Sequence, residues 1–484
     1  MRPALLVTLI AACFVSVNAG AVDLMQVYGE ALANDPVYAS ARSALTAGQE
    51  RAIQGRAGLL PTLNAGGTYT RNDQTAFGQS LHFTGNAYQV QLTQPLLRVA
   101  NWESYQQGKL SVTASEAQFA QARQDLIVRV GQAYFDVLAA QDALTFLKAQ
   151  ENAITEQLAS AKRNFEVGTA TITDTNEAQA RYDLAIAQQI AAQNDLEVRR
   201  TAIQQLTGKP PGAMAILRTG VTLTPPSPAA IEPWVASAEQ ANFSVIGQQL
   251  VLEIASREIR RSRAGHYPTV DLIVSRSRSA QSGSAFAGAN GAGTDNAIGV
   301  QWAIPLFSGF AVDSKVRETI ALEDRARNDL ESARRTAAQA ARQSYLGVNN
   351  GLAQVRALQA AEVSSQSALE SNRLGYQVGV RINIDVLNAQ QQLFSTRRDL
   401  ARARYDTIMS SLRLKSAAGT LREGDLEQVN MLLTMEAPPP PALPQSVAPA
   451  VGKPVVVTPP TRSAPPPAVA PGGVAPAKPV QKKP

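Results

Sequence analysis

Side chains that carry covalent or metal chemistry are scarce in this sequence. The two histidines, His82 and His266, stand far apart, and the one cysteine is Cys13. No Cys/His spacing suits a metal, no glycine-rich loop suits a phosphate, and no Gly-x-Ser-x-Gly elbow raises a nucleophile. Acidic neighbours such as Glu323 and Asp324 fall in a helical stretch and read as a solvated face. No catalytic residue, cofactor-binding residue or metal ligand is assigned, and an enzyme is not expected.

What recurs instead is a polar turn. Phe165-Glu166-Val167-Gly168-Thr169-Ala170-Thr171-Ile172-Thr173-Asp174 is matched by Tyr376-Gln377-Val378-Gly379-Val380-Arg381-Ile382-Asn383-Ile384-Asp385, at an offset of 211. Glycine tolerates the left-handed conformation that ends a helix, and aspartate accepts from the free N–H groups that open the next one. Each turn is therefore expected at the tip of a long helical hairpin, about 166–174 and 377–385.

The elements around the turns repeat as well. Tyr134 matches Tyr345, Leu206-Thr207-Gly208 matches Ala417-Ala418-Gly419, Pro95 matches Pro305, and the helical run with Asn34 matches the run with Asn242. Two copies of one architecture are expected, 22–208 and 234–426, joined by a Pro-rich linker over 209–233. In the first copy, Val22 to about Arg56 reads as one helix. Alternating stretches follow at about 62–72 and 86–94, with Tyr88, Val90 and Leu92 on one face. In the second copy the strands are expected at about 269–278 and 296–304. Ile298, Val300, Trp302 and Ile304 share a face opposite Gly299, Gln301 and Ala303, whereas Ile273 breaks the pattern in its strand. These lengths suit a tilted membrane strand, and equally a small soluble sheet with one wet face. Polar stretches Arg71–Gly85 and Ser277–Asp295 read as hairpin loops, and Pro61, Pro95, Pro268 and Pro305 as strand ends. Leu96 to Phe165, free of proline, reads as about 70 helical residues, roughly 100 Å long, with Leu126, Val130 and Val137 on one seam.

The chain ends differ from the body. Met1–Ala21 has a basic Arg2, an apolar run and small residues at Ala19-Gly20-Ala21, the pattern of a secretory signal cut after Ala19 or Ala21. Ile10-Ala11-Ala12 before Cys13 leaves a lipoprotein alternative. The stretch 437–484 holds 16 of the 28 prolines and no aromatic residue, a composition expected to be disordered. Without Arg2 and the five cations of that tail, the formal net charge of +6 falls to zero. A nucleic-acid partner thereby loses its support.

Ile172-Thr173-Asp174 followed by Asn176-Glu177-Ala178, Gly379-Val380-Arg381 followed by Asp385-Val386-Leu387, Arg404-Tyr405, and Leu412-Arg413-Leu414-Lys415 leading to Ala418-Gly419-Thr420-Leu421 resemble the TolC family of outer-membrane efflux and secretion channels. The resemblance runs from about Val22 to Leu426. It implies a mainly α fold with a transmembrane β part, in which three copies form a 12-stranded barrel continued by a helical periplasmic tunnel. It implies a homotrimer set in outer-membrane lipid, with a periplasmic adaptor and an inner-membrane pump or ABC transporter as partners. Thr173 and Asp174 would hold the second hairpin shut through Tyr376 and Arg381. Asp385 would line the periplasmic mouth, with Asn388 where a second aspartate can stand in the family. The alternative is a non-channel coiled-coil protein, at the surface or in the periplasm, or an adaptor. The two hairpins and the absence of a lipoyl-like domain count against the adaptor. The exported substrate, whether drug, metal or protein, is not legible.

Overall fold

The structure is a computed structural model and describes residues 22–76, 79–282 and 291–434. The expected leader and Pro-rich tail lie outside the described residues. In chain order the elements are α1 (Leu24–Asn34), α2 (Pro36–Ala57), β1 (Thr62–Ala76), β2 (Gln79–Leu97), α3 (Val99–Glu166), α4 (Ile172–Thr207), β3 (Ile216–Leu217), α5 (Glu232–Ala241), α6 (Phe243–Arg263), β4 (Thr269–Ser282), β5 (Gly291–Ala303), α7 (Ala311–Gln377), α8 (Asn383–Ala417), α9 (Glu423–Asn430) and β6 (Leu433–Thr434). A single 3₁₀ turn, Ala264–His266, joins α6 to β4. Among the described residues no helix is long and apolar enough to cross a membrane.

The single helix expected over Val22–Arg56 is two. Asp35 ends α1 and caps α2, accepting from the Tyr38 N–H at 3.0 Å, and Pro36 suits the first helical position because the N–H it lacks would be unpaired there. Asn242 divides α5 from α6 in the same way, accepting from the Ser244 N–H at 2.9 Å.

One antiparallel sheet takes the order β1-β2-β4-β5, so the strands of the two repeats pair directly. Residues facing each other across antiparallel strands share a face. One face carries the rung Leu63, Leu92, Val274 and Ile298, then Val90, and toward the helices Leu272 with Val300 and Val270 with Trp302. Arg276 and Arg278, opposite Val90 and Tyr88, bound this apolar band. The other face carries Asn64, Gln91 and Ser275, Gln89 and Ser277, and Asp271 with Gln301. Ile273 falls on the polar face between Thr93 and Gly299.

All four strands start or end beyond the alternating stretches, so much of the two polar stretches expected as loops is strand. Backbone pairing in a hairpin needs no apolar side chain, and alternation marks the part of a strand with one dry face. Pro95 does not end β2. It sits at a register shift between Pro95 and Leu97, a break where the missing N–H interrupts little of the ladder. At the same level Arg98 holds Asp271 through two hydrogen bonds of 2.8 and 2.6 Å, tying the first repeat to the second.

Helices α3 and α7, of 68 and 67 residues, contain no proline and reach about 100 Å each. Their seams are narrow because small residues allow close approach. A Cβ on Gly108 of α3 would stand 2.6 Å from the Arg51 carbonyl of α2. The largest core lies partway along α3, where Leu126, Val130, Tyr134 and Val137 are buried with α1, α8 and α9. There the 209–233 linker is fastened as a strap around Ala213 to Leu217. Val22 donates to the Ala213 carbonyl, β3 pairs with β6, and Tyr134 donates to the Ala215 carbonyl at 2.7 Å. Proline content marks the stretch as extended; the short apolar run from Met214 to Leu217 is what fastens it.

Glu423, opening α9, accepts from Tyr28 of α1 and Arg123 of α3, both at 2.8 Å. The Arg123 bond, then the Tyr28 bond, hold its carboxyl below the usual 4.5 against partial burial. A depressed carboxylate contributes stability above its unfolded value and loses it as pH falls through the folded value. The melting temperature of Glu423→Gln should therefore be lower than the parent's at neutral pH and fall less steeply from about pH 5 to about pH 3. Equal slopes in detergent solution would contradict the pairing.

Candidate functional site

The two tips are built alike at the backbone. Gly168 and Gly379 take φ of 77° and 79°. In the first tip Thr169 and Ala170 both donate to the Asn164 carbonyl, and in the second Val380 and Arg381 both donate to the Gly375 carbonyl. These bonds satisfy carbonyls that a helix end leaves free.

The side chains then diverge. Thr171 and Asp174 form a capping box: the Asp174 N–H donates to Thr171 Oγ1 at 3.2 Å, and the Thr171 N–H and hydroxyl donate to Asp174 Oδ2 at 3.0 and 2.8 Å. Position 382 of the second tip is isoleucine, which cannot cap. Asp385 is thereby free of a cap and pairs with Arg381 at 3.6 Å. Tyr376 accepts from Asn164 at 3.2 Å, which joins the second tip to the first hairpin. Thr173 is exposed on the first turn of α4. Among the described residues no ion pair within the chain joins Asp174 to Arg381, and Asp174 Oδ1 accepts no bond.

Behind the tips the hairpins are fastened by groups that, Asn388 apart, the sequence left unmarked. Gln157 donates to the buried Asn383, which in turn donates to the Asp174 carbonyl at 3.4 Å. Arg181 of α4 donates to Gln391 at 2.6 Å and to Asn388 at 3.0 Å. A polar Asn383 between Ile382 and Ile384 is the one hint the sequence offered. Beneath them Leu387 packs with Ile154, Leu158, Ala161, Ala178 and Ala185. Val167, Val378 and Val380 stand exposed at the ends. The arrangement offers hydrogen bonds, charge and a packed seam at a joint, with no group placed for covalent chemistry.

The family model described as outer membrane efflux protein matches residues 27–209 and 234–420. The chain belongs to this family. The matched segments are close to the two repeats, and the gap between them is the strap. The chain is 32% identical over 437 residues to outer membrane protein TolC of Escherichia coli (strain K12), covering 89% of this chain and 88% of that protein. It is 33% identical over 428 residues to the proteases secretion protein PrtF of Dickeya chrysanthemi, covering 85% and 91%. The fold is shared with the outer membrane protein VceC of Vibrio cholerae, at a TM-score of 0.70, 19% identity and coverage of 82% and 96%. It is also shared with the CmeC outer membrane channel of Campylobacter jejuni, at 0.72, 17%, 85% and 90%. The protein is an outer-membrane efflux protein. CmeC is described as a channel, and none of these relatives carries an enzyme's name.

The divergence of the caps is directly testable. Ile382→Thr should give the second tip the box that the first has, drawing Asp385 off Arg381 and adding about 1 kcal/mol, or roughly fivefold, to protection of the Asp385 amide. Thr171→Val should remove a similar amount at Asp174. Hydrogen exchange unchanged in both variants would contradict the assignment.

Proposed function

We propose that three copies of the chain close one barrel in the outer membrane and continue it as a helical tunnel, through which an inner-membrane pump and a periplasmic adaptor pass their substrate. One observation carries this reading. The chain forms a single four-stranded sheet whose outer strands, β1 and β5, leave an edge unpaired. In hydrocarbon each unpaired backbone group costs several kcal/mol, so the edges must pair with other copies. Two copies give eight strands, an interior that side chains fill; three give twelve, the smallest multiple of four with room for water. The apolar face turns to lipid, and the face of Asn64, Gln91, Ser275 and Gln301 lines the lumen.

At the other end the tips form the gate. Asp174 Oδ1 is available to Arg381, and Thr173 to Tyr376, within or between copies. Arg381 supplies a rigid fork of donors. Exposed pairs contribute about 0–1 kcal/mol each, so a threefold set holds a pore shut yet yields to a docking partner. Exposed Val167, Val378 and Val380 suit the adaptor. Asp385, threefold around the axis, concentrates cations, while Asn388 adds no charge and keeps that preference modest. Choice of cargo belongs to the pump.

Two experiments test this. Val300→Arg should cost about 2–4 kcal/mol of folding free energy in bilayers and deplete the heat-modifiable oligomer, whereas Gln301→Arg should assemble. The reverse result would put the faces the wrong way round. Tyr376→Phe with Arg381→Ser should leave oligomers intact and raise single-channel conductance several-fold. Parental conductance in that double variant would exclude these residues from the gate.

A further inference from the structure

Among the described residues, three side-chain hydrogen bonds cross between α4 and α8. All of them lie in the first ten residues of the two helices, next to the tips. One is the Asn383 bond to the Asp174 carbonyl. The other two are the fork of Arg181, whose Nη1 donates to Gln391 Oε1 at 2.6 Å and whose Nη2 donates to Asn388 Oδ1 at 3.0 Å. Gln391 and Asn388 are three residues apart and so present neighbouring acceptors on one side of α8. A guanidinium meets two such acceptors with a rigid, preorganised fork, whereas an ammonium is a point charge whose donors rotate freely on a flexible stem. Farther up, α8 packs instead on α3, through Tyr405 with Phe135.

The geometry points to Arg181 as a gating residue, a fork that clamps the second hairpin to the first inside each copy. An opening tip must draw α8 from α4. That movement breaks both Arg181 bonds and uncovers Leu387, which is 3% exposed in the clamped state. Among the described residues Arg181 has no carboxylate partner, and both its acceptors are neutral. It therefore also sets an uncompensated positive charge beside Asn388, at the level expected for the mouth. The clamp and the charge are separable. This inference rests on the reading of the tips as the gate.

The test is single-channel recording of the full chain in planar bilayers, with oligomers checked on unheated gels. Arg181→Ala should raise conductance at least twofold and shift the reversal potential toward cations. Arg181→Lys keeps the charge but not the fork, so conductance should rise while the reversal potential stays. Asn388→Asp turns one neutral bond into an ion pair and should lower conductance. If assembled Arg181→Lys conducts as the parent does, the clamp is refuted, and it decides the matter should Arg181→Ala fail to assemble. Tyr376→Phe with Arg381→Ser, recorded beside them, separates the two ideas. An open double variant with silent Arg181 variants overturns the clamp alone; open Arg181 variants with a silent double overturn the tip contacts alone. If every variant is silent, both fall.

Discussion

Backbone N–H and C=O groups need partners wherever water is absent, and a sheet in hydrocarbon has nowhere to hide an edge. In the proposed barrel each chain has two such edges, along the 15 residues of β1 and the 13 of β5. That requirement governs much else. It makes the β2–β4 pairing between repeats indispensable, since without it a chain would present four edges instead of two. The Arg98 fork on Asp271, with Asp271 buried, sits where β2 leaves the sheet for α3 and fixes that pairing at the joint. The proposed closure accounts for the alternation of faces as well, one side turned to lipid and one to the lumen.

The helical part obeys a different physics. In water the long helices are held by thin seams of small residues, and large side chains gather in the belt around Tyr134. There α1, α9 and the strap from Ala213 to Leu217 bind the start, middle and end of the described chain together. Toward the tips the packing thins to clusters such as that of Leu387, and polar groups take over the contact between hairpins. The two tips share one backbone course, and a threonine at one cap and an isoleucine at the other leave their aspartates in different bonds. Asp174 serves its own helix through one oxygen, while Asp385 is left to Arg381.

The repeated turn, the long proline-free helices and the strand faces were legible because each has a period or a fixed backbone need. Gly168 and Gly379 announce left-handed turns, and Val90 with Val300 announces a face. Extents were less legible. Polar strand ends such as Arg71–Asp73 pair without any alternation of apolar residues, Pro95 hides inside a register shift, and Asp35–Pro36 divides a run whose periodicity does not break. For the linker, proline content shows extension but does not tell where the stretch is attached, at Ala213 to Leu217. At the tips the named residues are where the turn placed them. The bonds of Gln157, Asn164 and Arg181 could not be read, since they join positions more than 200 residues apart and depend on which faces of two hairpins meet.

Closure of the barrel by edge pairing between copies is best tested at the edges themselves. In a chain carrying Cys13→Ser, single cysteines on β1, at Leu63, Ala65 or Gly67, are combined with single cysteines on β5, at Ile298, Val300 or Trp302. After oxidation in membranes, at least one combination should run on a denaturing gel as a covalent species of three chains that reductant returns to one. Cross-linking that stops at two chains, continues past three, or is absent from every combination would contradict closure by three copies.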